Sequence, residues 1–226
     1  MRPIVSFTLF GTNMKYYIGA VKNTVEVNSL LPDWEIRIYY HSDFILTEYI
    51  KILSELGANL INVKDLTIGG LESIHFPYFW RFLSFLEDTP SIVRDLDSRF
   101  SHREVSYINS WLKTDNDYFI IRDHPWHSPV PSGLFGIKRK INLFEEHFNE
   151  FIKNNELVWG SDQTILQLYM ENIDKNNIFY CGYDSQENYI PRNDKDFFIG
   201  MQIDENDKPL IPSAIQALNY LKDLNL

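Results

Sequence analysis

Cysteine is almost missing from this sequence: Cys181 stands alone among 226 residues. A single thiol excludes an intramolecular disulfide and a cysteine-based zinc cluster, and it suits a reducing compartment, so a cytoplasmic protein is expected. Basic residues are also in deficit, with 21 Lys and Arg against 31 Asp and Glu, a formal net charge of −10. No basic block stands out, so nucleic acid is not an expected partner, although local arginines can still hold a small phosphate ligand. No apolar run reaches the length of a transmembrane helix, and no integral membrane segment is expected. The start, Met1 to Phe10, has too short an apolar run for a signal peptide and reads as a first strand. Linkers, repeats and low-complexity stretches are absent, so residues 1–226 read as a single domain.

What is present is the composition of a globular chain, 44% hydrophobic and 23% charged. Ile4 to Phe10 is a β-rich run stopped by Gly11-Thr12-Asn13. Tyr17, Ala20, Val21, Thr24, Val25, Asn28 and Leu31 then recur at helical spacing. Trp34 to Tyr40 alternates as a second strand, Leu46 to Leu56 reads as a helix ended by Gly57, and Asn59 to Val63 as a third strand. Strands separated by helices imply an α/β domain with a central, mostly parallel mixed sheet flanked by helices. Phe76 to Leu86 is a dense aromatic helix in which Arg81 is the odd member. Further strands are expected at Tyr118 to Ile121 and Ile178 to Cys181, and helices at Leu143 to Ile152 and Pro212 to Leu224.

The chain is organised around Ser91-Ile92-Val93-Arg94-Asp95-Leu96-Asp97-Ser98-Arg99. Read as a strand, it puts Asp95 and Asp97 on one face and Leu96 on the other, toward the core. Two carboxylates about 5 Å apart repel by roughly 3 kcal/mol at an effective dielectric near 20, so a fold that keeps both ionised supplies a positive partner. A hard divalent cation, Mg2+ or Mn2+, meets that need and leaves coordination positions for water and substrate phosphate. The competing structural reading is that Arg94 and Arg99 neutralise the pair at a strand end.

Other polar clusters fall near element ends. Ser101-His102-Arg103-Glu104 reads as a capping box, with Glu104 as a cap rather than a catalyst. Arg122-Asp123-His124-Pro125-Trp126-His127 follows the Tyr118 strand, and open α/β sheets bind ligands beyond the carboxyl ends of their strands. Gly133 offers bare backbone against which a sugar ring can lie, or else marks a bulge. Ser161 and Asp162 open a helix, where capping is the commonest role. Arg81 feeds the aspartate strand and is as well suited to a phosphate or active-site carboxylate as to a structural pair.

Taken in order, these features resemble a group of bacterial and viral GT-A-type glycosyltransferases. The matching residues are Trp80-Arg81-Phe82, Arg94-Asp95-Leu96-Asp97-Ser98-Arg99, Arg103-Glu104, Trp111-Leu112, Arg122-Asp123-His124-Pro125, Gly133-Leu134-Phe135-Gly136 and Asp162-Gln163, spanning about Pro3 to Gly200. The resemblance implies a Rossmann-like GT-A domain of polysaccharide-type chemistry. Its donor is a nucleotide-diphosphate sugar, UDP- or GDP-linked, with Mn2+ or Mg2+ bridging the diphosphate to the Asp-x-Asp motif. Carried over, Asp95 meets the ribose or a metal-bound water and Asp97 binds the metal directly. The loop from Thr8 through Phe10 and Gly11 to Thr12 holds the base, and Arg81, with Arg122, His124 and Gly133, contacts the donor. The family pattern places a late histidine in the metal sphere; the matching segment here is Tyr183-Asp184-Ser185, where Asp184 is the substitute oxygen ligand and His124 and His127 are other candidates.

The activity so implied is metal-dependent transfer of a sugar to a hydroxyl acceptor on a glycan, a lipid-linked carrier or a protein. Asp162 is the first candidate for the base or a sugar-orienting residue, and Asp123 the second. Two alternatives remain open: a non-catalytic nucleotide-sugar or glycan-binding module, and a metal-dependent phosphohydrolase. The latter places its acidic motif after the first strand, whereas here at least three strand-like runs precede it.

Overall fold

In the computed structural model, residues 1–68, 70–183, 185, 188–192, 197–210, 216 and 219–220 are described. A seven-stranded sheet in the order β3-β2-β1-β6-β8-β7-β9 forms the centre. Its strands are β1 (Ile4–Leu9), β2 (Glu35–Tyr40), β3 (Asn59–Asn62), β6 (Ser91–Arg94), β7 (Tyr118–Arg122), β8 (Leu134–Ile137) and β9 (Ile178–Gly182). A two-residue hairpin, β4 (Thr67–Ile68) and β5 (Leu71–Glu72), stands apart from it. All sheet neighbours pair in parallel except β8, which runs antiparallel to both β6 and β7. The expected mixed, mostly parallel α/β sheet is therefore the observed one.

Both faces of the sheet are covered, as a parallel sheet requires. On one face, Val5, Phe7 and Leu9 of β1 pack with Tyr17 and Ala20 of α1 (Met14–Leu30), Leu53 of α2 (Thr47–Glu55) and Trp111 of α3 (His102–Leu112). Gly19 lets α1 approach closely, because a Cβ there would lie 1.9 Å from the Leu96 carbonyl oxygen. On the other face, Val93 and Phe135 pack with Phe144 and Phe148 of α4 (Asn142–Asn154) and Ile165 of α5 (Ser161–Met170).

The aromatic helix is a 3-10 helix, Pro77–Leu86, longer than such helices usually run. In this geometry residues three apart eclipse one another, so Phe79, Phe82 and Phe85 form one buried stripe, with Phe82 and Phe85 stacked at 5.8 Å between centroids. The polar face of β1 fastens it: Ser6 Oγ donates to the Arg81 carbonyl at 2.7 Å, and the Arg81 amide donates to Thr8 Oγ1 at 3.1 Å. Alternation along β1 thus fixes where Arg81 sits. No described helix is long and apolar enough to cross a membrane. Most of the expected Pro212 to Leu224 helix lies outside the described residues.

Candidate active site

The switch in strand order between β2-β1 and β1-β6 opens a crevice at the carboxyl edge of the sheet, the usual binding position in open α/β folds. Antiparallel β8 enters from that same edge. Because Leu134 opposes Arg94 in the register, Gly133 faces Asp95. A cavity of about 620 Å³ occupies the crevice and is lined by Thr8, Phe10, Arg81, Asp95, Asp97, Gly133 and Asp162, among others. A second cavity of about 670 Å³, bordered by Glu26, Arg99, Arg103 and Ile199, contains none of the expected site residues. Size and chemistry part company here, and the concentration of carboxylates marks the smaller one.

Strand β6 ends at Arg94, so Asp95-Leu96-Asp97 is a turn and not the strand end that alternation implied. The two carboxylates nevertheless line one cavity, and Leu96 is buried in the core as expected. Asp95, its side chain 45% exposed, pairs with Arg81 through Oδ1. Asp97 is buried and accepts from Lys15 Nζ at 2.9 Å. Neither flanking arginine pairs directly with them: Arg94 pairs with Glu104, and Arg99 with Asp207.

These partners set the protonation. Burial works to raise the Asp95 carboxyl, but the charge and hydrogen bond of Arg81 outweigh it and hold the group below its usual value. Burial raises Asp97, the adjacent Asp95 charge adds to this, and Lys15 opposes both. A cation bound between the two would relieve that repulsion.

Arg81 is the hub of the floor. Its second terminal nitrogen donates to Asp162 Oδ2 at 2.8 Å and to Ser132 Oγ at 3.2 Å, and Ser132 Oγ itself donates to Asp162 Oδ2 at 2.8 Å. Asp162 lies in the first turn of α5, after Gly160 in a left-handed conformation (φ 89°). Both recorded bonds fall on Oδ2, which leaves Oδ1 with no partner among the described residues. Gly133 does not present its bare face to open space: a Cβ there would lie 1.9 Å from Asp95 Oδ2. Its missing side chain makes room for the aspartate.

Several expected residues lie off the cavity. Asp123, the second candidate base, is buried, bonds both guanidinium nitrogens of Arg103 and accepts from the Ile199 amide at 2.7 Å. All of that bonding holds α3 and the 198–203 segment to β7, which is scaffold work. Arg122 turns to the Pro125 and His127 carbonyls and the Tyr180 hydroxyl. His124 is buried beside Phe198, its Nδ1 accepting from the Trp126 amide at 3.0 Å. Gly11 accepts from the Tyr17 hydroxyl at 2.6 Å and Thr12 is exposed in a turn; neither lines the cavity. The capping box is half formed: the Glu104 amide donates to Ser101 Oγ at 3.2 Å, while the Glu104 carboxylate turns to Arg94.

His127 does border the cavity, and burial, with the nearby His124 and arginines, pushes it down to about 3, so it is neutral. Asp184 lies outside the described residues. No group of three or more metal-ligating side chains occurs among the described residues. The donor set that remains, two carboxylates on one cavity, suits Mg2+ or Mn2+ completed by water and phosphate oxygens.

Lys15, Ser132 and the cavity aromatics Tyr16, Tyr78 and Trp159 also reach the site without having been expected there, while Trp126, in the cluster after β7, lines the cavity. Ser132 adjoins Gly133 and was within reach; Lys15 is far from Asp97 in sequence and carried no signal.

No protein-family model matches the chain, and no curated protein sequence does either. Among solved structures it is similar to mannosyl-3-phosphoglycerate synthase from Rubrobacter xylanophilus, 12% identical with a TM-score of 0.51, covering 79% of this chain and 65% of that one. The apo form of the glycosyltransferase GlyE of Streptococcus pneumoniae is 16% identical with a TM-score of 0.50, over 79% of this chain and 44% of that one. Glucosyl-3-phosphoglycerate synthase from Mycobacterium tuberculosis, solved with Mn2+, UDP-glucose and phosphoglyceric acid, is 10% identical with a TM-score of 0.50, over 79% of this chain and 68% of that one. The chain thus spans about half to two-thirds of the length of these proteins, and what it shares with them is the GT-A-like α/β fold.

Proposed function

We propose that this chain is a glycosyltransferase that moves a sugar from a nucleotide-diphosphate sugar to a hydroxyl acceptor with the help of Mn2+ or Mg2+. One observation carries the reading: Asp95, Asp97, Arg81 and Asp162 converge on a single cavity at the topological switch of the sheet. A bundle of this kind in a structural ion-pair network would be closed to solvent, whereas Asp95 is nearly half-exposed.

Asp95 and Asp97 would hold the divalent ion, which when bound neutralises the charge that builds on the departing nucleoside diphosphate. The donor lies with its nucleoside toward Thr8 and Phe10 at the end of β1. Arg81 holds Asp95 and Asp162 in fixed orientation, so the carboxylates meet the donor preorganised. Asp162 presents Oδ1 to the sugar hydroxyls or to the acceptor proton. The sugar passes through an oxocarbenium-like centre as its bond to the diphosphate breaks and the bond to the acceptor oxygen forms. Asp184 is retained as a candidate further oxygen ligand. Arg122, His124 and Asp123 fit better as the layer that supports the site.

Titration calorimetry of UDP and GDP, with and without Mn2+, tests this. One nucleotide series should bind only with the metal, and Asp97→Ala should weaken that binding by about a hundredfold. Metal-independent binding, or none, overturns the reading. Binding without donor hydrolysis or transfer would point to the binding module, and release of phosphate from simple monoesters to the phosphohydrolase.

A further inference from the structure

We propose that Trp159, with Trp126, forms a stacking platform for the sugar ring of an uncharged saccharide acceptor at the rim of the cavity. This deepens the glycosyltransferase reading and rests on it for the word acceptor, but the saccharide site itself stands on its own observations.

Trp159 is 83% exposed and Trp126 is 55% exposed, yet both border the cavity that holds the carboxylates. Large indoles left open beside a polar cleft are unusual on a protein surface, where contiguous apolar area marks ligand or partner contact. An indole face suits the C–H face of a sugar ring, while the ring's hydroxyls stay available to water and polar side chains.

Trp159 is not a loose side chain on a slack loop. The Val158 amide donates to Ser161 Oγ at 2.9 Å, and the Ser161 amide returns to the Val158 carbonyl at 3.0 Å. Gly160, at φ 89°, closes this turn and opens α5, the helix that carries Asp162. Trp159 is therefore held three residues from Asp162. Trp126 is held between His124, edge-on with ring centroids 5.2 Å apart, and Tyr220, 5.5 Å away and tilted by 31°, so it offers the saccharide only the indole surface that Tyr220 leaves open.

Position supports the acceptor over the nucleobase. Along the sheet edge the loops follow the order β1, β6, β8, β7. With strands about 4.8 Å apart, the β7 loop with Trp126 stands roughly 14 Å from the β1 loop assigned to the nucleoside. The Asp95 turn lies between the two, where a transferred group must pass.

Charge selects the class of saccharide. Among the described residues that line the cavity, Arg81 is the only Lys or Arg, and it is committed to Asp95 and Asp162. Gln163 and Ser128, which also line the cavity, are uncharged. Among the described residues that line the cavity no further Lys or Arg stands beside Trp126 or Trp159, and Arg122 at the end of β7 turns to the Pro125 and His127 carbonyls, so an anionic acceptor such as phosphoglycerate is disfavoured and a neutral sugar is favoured.

The test follows the indole N–H resonances of the full chain by NMR during titration with methyl glycosides, short neutral oligosaccharides and 3-phosphoglycerate. At least one neutral saccharide should shift the Trp159 and Trp126 signals, and bind more tightly than phosphoglycerate. Trp159→Ala, which removes an exposed side chain and spares the core, should weaken that saccharide about tenfold, and Trp159→Tyr should restore most of the loss. Saccharide binding unchanged in Trp159→Ala, no saccharide binding across the panel, or preferred binding of phosphoglycerate overturns the proposal. Saccharide binding as described in a chain that fails to bind UDP or GDP with Mn2+ leaves the platform standing and removes the glycosyltransferase reading instead.

Discussion

Arg81 meets Asp95 and Asp162 on the floor of an open cavity, whereas Arg94, on the strand that leads to Asp95, meets Glu104 where no solvent reaches. Side-chain exposure separates them: Asp95 is 45% exposed and Glu104 is 1% exposed. In the inner cluster Arg94 Nε lies 2.6 Å from Glu104 Oε1 without hydrogen-bond alignment, and both Glu104 oxygens lack a bonded partner. Two further Arg94 bonds, to the Gly133 and Arg99 carbonyls, tie β8 and the post-aspartate turn to the same guanidinium. The outer cluster is open to the cavity; the inner one is closed to solvent and braces it. The same residue types, even adjacent in one motif, thus take opposite roles according to which side of the strand end they leave from.

The contrast breaks most visibly at Glu104. Glu104→Ala leaves Arg94 buried without a counter-charge once Glu104 would be ionised, so urea unfolding above about pH 7 should show a loss of about 3–5 kcal/mol. If the loss is under about 1 kcal/mol, the inner cluster is not the support described. The same residue gives a pH signature. Burial pushes Glu104 up to about 7 from its ordinary 4.5, with Arg94 opposing. The folded state therefore keeps a proton that the unfolded chain has already released. Its contribution is full below about pH 4.5 and gone above about pH 7, so stability should fall as pH rises through that window, by roughly 3 kcal/mol. Glu104→Gln should flatten much of this slope, while the raised Asp97 and Asp123 leave a remnant of the same sign.

On the outer side the pattern should invert. Asp95→Asn keeps the shape beside Gly133 and leaves Arg81 paired with Asp162, so the melting temperature should move little, by about 1 kcal/mol or less in stability. Metal-dependent nucleotide binding should nevertheless drop about tenfold or more by calorimetry. The smallest effect belongs to the surface: Lys22→Ala removes a pair with Asp207 whose partners are 33% and 45% exposed, and should cost under about 0.5 kcal/mol in urea. A larger cost there would show that exposed pairs near Arg99 act as a network.

Periodicity made most of the fold legible. The alternation of β1 and β2 and the helical spacing of α1 matched the elements observed, because each depends on a local pattern of apolar side chains meeting a core. The site was legible in part. Asp95, Asp97, Arg81 and Asp162 line one cavity: the first two follow the end of β6 and Asp162 opens α5, while Arg81 comes from the middle of the 3-10 helix. Arg122, Asp123 and His124 stand at a strand end too, yet they turn into the scaffold. Nothing in their spacing distinguishes them from the Asp95 motif.

By itself the sequence determined the main strands of the sheet, the helices after β1 and β2, and the two neighbouring acids, which follow from patterns close in the chain. Only the tertiary structure decided which cation each acid meets. Lys15 reaches Asp97 from the start of α1, and Arg81 reaches Asp95 from the 3-10 helix. It also decided that antiparallel β8 brings Gly133 against Asp95 and that Trp159 stands beside the same cavity. These pairings join distant parts of the chain, and Coulomb energy and close packing act through distance in space, which local spacing does not encode.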